Sequence, residues 1–559
     1  MLRYLPYPIV GLLVVTSLGW GGHSPWAMLV LELGAFALLL SALFEVLWGT
    51  SREVRAEERE RRRTWRRLPL AVRYPGLASC ARRMSLGRWP GRRSTAEVEI
   101  LLPGQRDSRS ERADSYSLFG YRFRRARLAV PLLLITSWTV LSLLPWKVDW
   151  LERWSPQAFS IRSAAESLIA LGATTAVWPS SLSPFLTERA LCLWFAYLAL
   201  FYVVVCVAAD PGRVERLTRL LFVVAIAAGL YGSWQWFSGL RELLGAEPSL
   251  AGIRASGPFG NPNHYAASME MLLLCSAGWV GAQWVRLTRE SGASPRGFLR
   301  RARAMRQESA AKTVVVALGM MVTGLGLIFS LSRSGITAVL VGLAVFAFLA
   351  RSRSDGSRTD VIELRRDGGP SATRLPREAR HGVWALSLIL AAMTLWVGMN
   401  PVLQRFEGLT DGSWAESGRQ QVWLDSLGAV SDFWATGSGL STFQHVFPIY
   451  RSFGGVHAYA YAHNDYLQIL IELGLPGFLL VIWLMVAVWV HARRVRKTLQ
   501  DDGPSLQLHA GYCAAVVALA LHSLTDFSLH LPANAALLSL VLGVGVGLDR
   551  KREEGQSCP

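Results

Sequence analysis

The sequence is poor in cysteine and in acidic residues. Six cysteines occur in 559 residues, either in apolar blocks (Cys192, Cys206, Cys275, Cys513) or in basic segments (Cys80, Cys558). Neither a disulfide framework nor a metal-binding spacing is expected from them. Asp and Glu number 40 against 58 Lys and Arg. In a soluble chain that imbalance would point to nucleic acid, but here the basic residues sort by position along the chain and no nucleic-acid partner is expected. A nucleotide-binding loop is missing as well. Gly437-x-Gly439 has no strand-turn-helix context and no later acid, so it reads as a turn. No cleavage site follows the first apolar block, which is therefore an anchor rather than a secretion signal.

What the chain has in quantity is apolar sequence in long blocks, with 51% hydrophobic residues and 22 Trp. Blocks of roughly 17–25 residues can span a bilayer, and about twelve helices are expected. They lie near 6–20, 25–48, 128–147, 190–209, 217–236, 264–285, 313–331, 335–350, 383–399, 467–490, 509–526 and 534–548. The fold class is all-α, a polytopic membrane protein. With the N-terminus inside, the Arg-rich runs at 61–63, 66–67, 92–93, 300–301, 365–366 and 493–494 all fall in loops on that side. This positive-inside pattern puts both termini in the cytoplasm. The organisation that follows is a transmembrane hairpin at 1–50 and a basic, partly disordered cytoplasmic insertion at 51–127, lying near anionic lipid. Helices at 128–399, a large outward loop at 400–466, helices at 467–549 and a cytoplasmic tail at 550–559 complete it.

The polar groups that break the apolar pattern are few. Around His463 a loop turns into an apolar helix, with Asn464 or Asp465 as N-cap and with Asn464, Gln468 and Glu472 in one stripe at every fourth residue. Such a stripe faces other helices or a wet cavity, because a carboxylate is costly in hydrocarbon. The stretch Arg254-Ala-Ser-Gly-Pro-Phe-Gly-Asn-Pro-Asn-His264 forces an irregular backbone. It is either a turn in which Asn263 caps the next helix, or a donor cluster built from Arg254, Asn261, Asn263 and His264. Arg333 lies among Ser330, Ser332 and Ser334 at a tight helical hairpin. It either snorkels to the interface or helps bind an anion. The long loop at 400–466 carries Arg419 and Arg451, and loops of that length are usually functional. His522 and Asp526, four residues apart, are expected on one helix face, as a buried tie between helices or as part of the site. Under the topology chosen from Lys and Arg counts alone, these groups map to the outer interface. Several guanidinium forks there suit a diphosphate, and histidine is the side chain that exchanges protons near neutral pH.

Taken together, Arg254-x-Ser-Gly-Pro-Phe-x-Asn-Pro-Asn263, Ser330-x-Ser-Arg333-Ser-Gly335, Arg419-x-x-x-Trp423, Gly437-x-Gly439 and Ala462-His-Asn-Asp-Tyr-Leu-Gln-x-Leu-x-Glu472-x-Gly474 resemble the O-antigen ligase family of bacterial membrane glycosyltransferases. The resemblance covers roughly 190–550. It implies an inverting enzyme of the GT-C type in the bacterial inner membrane, without metal or other cofactor. The implied donor is a glycan on undecaprenyl diphosphate, and the implied acceptor is a hydroxyl of lipid A-core, of another glycan or of a protein, on the periplasmic side. Carried over by position, His463 becomes the base or acceptor-orienting group, with Arg254, Arg333 and Arg419 holding the diphosphate and Asn263, Gln468 and Glu472 in support. A polymerase of lipid-linked repeat units shares these motifs. A flippase for the same lipid is the rival of another class, disfavoured because its charges should lie near the bilayer midplane.

Overall fold

The computed structural model describes residues 4–18, 24–42, 115–118, 121–124, 128–169, 177–239, 254–290, 307–351, 419–454 and 458–548. The chain divides into two units. The smaller, residues 40–127, contributes a hairpin in which strands Ser115–Leu118 (β1) and Tyr121–Arg124 (β2) pair antiparallel, Ser115 opposite Arg124. The rest of the insertion expected there lies outside the described residues. So do the helix expected at 383–399 and the start of the large loop, 400–418.

The helices are Pro6–Leu18 (α1), Pro25–Ala42 (α2), Ala129–Leu143 (α3), Val148–Trp154 (α4), Pro156–Ile169 (α5), Pro184–Val207 (α6), Pro211–Ser238 (α7) and Pro262–Glu290 (α8). They continue with Gln307–Phe329 (α9), Arg333–Leu349 (α10), Arg419–Phe433 (α11), Phe443–Val446 (α12), Asp465–Thr498 (α13), Gly503–His522 (α14) and Pro532–Gly547 (α15). Several open on proline, whose missing N–H costs nothing at a first turn. Among the described residues five helices, α2, α6, α7, α13 and α14, are long and apolar enough to cross a membrane, and α1, α3, α10 and α15 are shorter apolar helices. This is the predominantly helical architecture of a membrane protein.

At the centre α8 lies along α14, with α10 and α7 packed beside them, and α15 lies against α6. The central pair touches backbone to backbone. A Cβ added at Gly511 would stand 2.7 Å from the Leu274 carbonyl oxygen, and one at Gly278 would stand 2.9 Å from that of Gln507. Small residues allow such approach where apolar solvent gives helices no hydrophobic reason to associate. At one end of the bundle Arg496 caps α10, donating from Nε to Leu349 O at 2.8 Å and from Nη2 to Arg351 O at 2.9 Å. The groups singled out above gather at the other end.

There α13 is broken. Gly474 has φ 65° and ψ −177°, and Pro476 follows it. A break frees carbonyls that must find donors elsewhere. Ile471 O accepts from Ser438 N at 3.0 Å, Glu472 O from Gly439 N at 2.9 Å, and Leu473 O from Trp138 Nε1 at 2.8 Å. Gly437 (φ 74°) and Gly439 (φ 102°) let this strap reach the broken helix. A Cβ at Gly437 would sit 2.2 Å from Glu472 O.

Two segments outside the expected helices are folded. Residues 148–169 form α4 and α5, flanked by Pro145–Lys147 (β3) paired antiparallel with Val177–Pro179 (β4), Trp146 opposite Trp178. Within 400–466, α11 buries Val422, Ser426, Ala429 and Phe433. That face has helical spacing, but Ser and Ala at two of its four positions hide it from a hydropathy scan. Phe433, Phe443 and Phe447 join it in one core with Trp178 and Ile471. Burying each ring contributes about 2–3 kcal/mol before entropy is counted.

Candidate active site

The site is built where three segments meet: the loop 458–464 entering α13, the turn 523–531 between α14 and α15, and the start of α11. Asn464 is the N-cap of α13, its Oδ1 accepting from Tyr466 N at 3.0 Å and Leu467 N at 3.1 Å. His463, just before it, has φ 53°. The left-handed conformation costs a residue with a Cβ about 1–2 kcal/mol, so the surroundings must impose it. Leu331 (φ 48°) and Ser441 (φ 61°) share the conformation, and both also lie at this end of the bundle. Such residues cluster where geometry is held against strain.

Asp526 is the hub. It is fully buried, with His463 Nδ1 3.7 Å from Oδ1 and Arg419 Nη2 3.5 Å from Oδ2. Its own Oδ1 accepts from Phe527 N at 2.9 Å, and Arg419 Nη1 donates to the neighbouring Thr525 O at 2.9 Å. Burial by itself would raise the Asp526 pKa. The His463 imidazole and the charges of Arg419 and His264 outweigh it and hold the carboxyl well below the usual carboxylate range. An ionised carboxylate 3.7 Å from Nδ1 favours the tautomer protonated there, with the ring's lone pair on Nε2. Phe527 fixes the ring planes, edge to face with His463 (centroids 4.9 Å) and His264 (4.4 Å) and stacked with Tyr461 (4.3 Å).

The segments that carry the other two arginines meet at the α9–α10 turn. Arg254 donates from Nε to Ser330 O at 2.8 Å and from Nη2 to Asn263 Oδ1 at 3.0 Å, and Ala255 N donates to Phe329 O at 2.9 Å. Its loop is thereby sewn to the α9–α10 turn. Arg333 opens α10, and the adjacent Ser334 Oγ lies 2.6 Å from Thr525 Oγ1. Hence Arg419 and His463 meet at Asp526, while Arg254 holds the α9–α10 turn and that turn reaches Thr525 through Ser334.

One expectation is corrected and two readings left open by the sequence are narrowed. The serines around Arg333 are engaged within the fold: Ser330 Oγ donates to Leu327 O at 2.5 Å, Ser332 caps α10 through Gly335 N at 3.3 Å, and Ser334 meets Thr525. The hairpin needs them for its own turn. Asn263 does not cap α8; Asn261 Oδ1 accepts from Asn263 N at 2.9 Å, and Asn263 serves Arg254. His522 and Asp526 do not share a helix face, because α14 ends at His522 and the chain turns. His522 Nδ1 instead lies 3.0 Å from Glu270 Oε2 in a wholly buried pair, while Asp526 faces Arg419 and His463.

The remaining residues sit around the site. Gln468 Oε1 accepts from Ala462 N at 3.1 Å, and its Nε2 donates to Glu472 Oε1 at 3.0 Å. Buried Glu472 also accepts from Ser441 N at 2.8 Å and Phe443 N at 3.2 Å, which fastens the strap 437–443 to α13. Arg451 stacks over Phe453, 4.6 Å from the ring centroid, and donates to Gly454 O at 3.2 Å.

Residues 318–482 match the model of the O-antigen ligase family. The resemblance to O-antigen ligases drawn from the motifs is matched over this stretch, which runs from α9 into α13 and holds Arg333, Arg419, Arg451, His463, Gln468 and Glu472. Arg254, His522 and Asp526 lie outside the O-antigen ligase match. Among curated proteins none matches the chain. Phe527, His530 and Glu270 lie at or beside the site without being among the residues expected there. Glu270 is an acid inside an apolar helix, which could have signalled it; nothing in the local sequence marks the other two.

Proposed function

We propose that the chain is a membrane glycosyltransferase that moves a glycan from undecaprenyl diphosphate to an acceptor hydroxyl at the periplasmic face of the inner membrane, in the manner of an O-antigen ligase. The observation that carries this is the convergence of the His463 imidazole and the Arg419 guanidinium on Asp526 in one patch; the α9–α10 turn, which carries Arg333 and is held by Arg254, reaches the 523–531 turn through Ser334–Thr525. That patch is at the end of the bundle opposite Arg496, which agrees with a cytoplasmic position for the basic loops. About twelve spans of the GT-C type, with both termini inside, complete the proposal.

In the transfer, Nε2 of His463 accepts the proton of the acceptor hydroxyl while its oxygen attacks the anomeric carbon. The bond from that carbon to the diphosphate oxygen breaks, the electron pair leaves with undecaprenyl diphosphate, and the configuration inverts. Asp526 keeps the imidazole oriented and stabilises it once protonated. Arg254 and Arg333 are the forks for the growing diphosphate charge. Arg419, engaged with Thr525 and Asp526, acts mainly on the carboxylate.

The test is purified protein with a lipid-diphosphate-linked glycan and candidate acceptors, comparing wild type with His463→Ala and Arg333→Ala. Loss of transfer in both variants, with unchanged elution and melting, supports the proposal; full transfer by His463→Ala refutes it. Glycan analysis of a deletion strain separates a ligase from a polymerase: long unattached chains accumulate on the lipid in the first case, single repeats in the second.

A further inference from the structure

Asp465, the first residue of α13, holds both segments of the site at once. Its backbone N donates to Ser523 O at 2.9 Å, its Oδ2 accepts from Leu529 N at 3.2 Å, and its Oδ1 lies 2.7 Å from His530 Nδ1. The His530 ring also lies against Tyr461, with centroids 5.4 Å apart, and Tyr461 stacks on Phe527. Thus the five residues 461–465 are pinned at both ends to the turn 523–530, and His463, with its left-handed backbone, sits between the pins. Of these contacts, only the one from His530 depends on a side chain that can change charge near neutral pH.

We infer that His530 is a positioning residue for the transfer: its pairing with Asp465 and its ring contact with Tyr461 hold segment 461–465 in the geometry that turns the His463 imidazole towards Asp526. The inference rests on the function proposed above and adds a residue to it. His530 acts through Asp465 and Tyr461, with no role in the proton transfer itself. A shift of the imidazole by an ångström is enough to cost about a hundredfold in rate where reacting groups must be aligned.

The charged and titratable groups facing His530 are Asp465 and Glu472 from α13 and Tyr461 from the entering loop. Beyond Asp465 stands the His522–Glu270 pair, and on the far side of Phe527 stands His264. Burial lowers the His530 pKa, but Asp465 and then Glu472 outweigh it and raise it above the ordinary histidine value. A raised pKa means that the clamp is complete below the unfolded value and weakens as pH rises through the folded one. Its loss therefore contributes an alkaline limb to the activity profile.

The experiment uses the full chain in lipid nanodiscs, as wild type, His530→Ala and His530→Gln. A lipid-diphosphate-linked glycan serves as donor, and hydrogen exchange over 461–468 is measured in parallel. Expected for His530→Ala is a fall in kcat of about tenfold or more, with the donor KM changed less than about twofold and faster exchange over 461–468. The Gln amide can donate to Asp465 without titrating, so His530→Gln should recover most of the rate and the protection while losing the alkaline limb. The inference is overturned by a wild-type kcat in His530→Ala, by unchanged exchange over 461–468, or by an alkaline limb in His530→Gln identical to wild type. Should wild type transfer no glycan, the proposed function falls, and the exchange measurements still decide whether His530 holds the segment.

Discussion

Replacing Asp526 by Asn tests the hub directly. The amide fills the same space and can still accept from Phe527 N, so the turn should persist. What is lost is the negative charge between His463 Nδ1 at 3.7 Å and Arg419 Nη2 at 3.5 Å. Without it the tautomer that presents Nε2 as base is no longer favoured, and a protonated imidazole is no longer compensated. Where a carboxylate is hydrogen-bonded to a catalytic histidine, the amide lowers kcat by about 10⁴; with the two groups 3.7 Å apart here, a loss of at least about a hundredfold is expected. Arg419 keeps its bond to Thr525 O and is partly exposed, so the cost in stability should stay near about 1–2 kcal/mol. The sign of the pH effect follows from the depressed Asp526 pKa. The carboxylate contributes fully above the unfolded value of about 4, and the contribution is lost as pH falls through the lower folded value. An acid limb of kcat/KM above that range therefore belongs to a group other than Asp526. The assay is glycan transfer in nanodiscs across pH, with the double variant Asp526→Asn, His463→Ala alongside. If Asp526 works through His463, the second substitution adds little to the first. Additive losses, or an Asp526→Asn enzyme within a few-fold of wild type, would refute the reasoning.

Arg254→Lys should restore little of the transfer lost in Arg254→Ala, because one ammonium cannot donate to Ser330 O and Asn263 Oδ1 and still present a fork to phosphate; initial rates at saturating donor check this. Glu472→Ala leaves Ser441 N, Phe443 N and the Gln468 amide without their acceptor. It should destabilise the protein by at least about 2 kcal/mol, read as a lower melting temperature. Gly511→Leu drives a side chain into the α8–α14 contact and should abolish the monodisperse purified protein, whereas Gly545→Ala, which meets nothing within 4 Å, should elute as wild type.

Much of the helical layout was legible because its causes are local. Long apolar blocks and Asn464 at the head of a polar stripe announce helices by chemistry acting within a few residues, whereas α7 begins at Pro211, ahead of the apolar block expected from 217. The hidden helix α11 escaped because Ser426 and Ala429 gain their buried places from Phe433 and Phe447 rather than from their own hydropathy. Gly437-x-Gly439, read as a turn, is a strap across a broken helix, a role set by Glu472 and Leu473 far away in the chain.

The residue order alone was enough to select the family-like motifs and to single out His463 and the arginines, because imidazole and guanidinium are costly among apolar helices unless something needs them. It could not say which group faces which. His522 and Asp526, four residues apart, take different partners because α14 stops between them. Asp526 becomes the centre of the site only when Arg419, His463 and Phe527 are folded around it. Pairings of that kind depend on where chain turns bring distant segments into contact, and no spacing along the sequence encodes them.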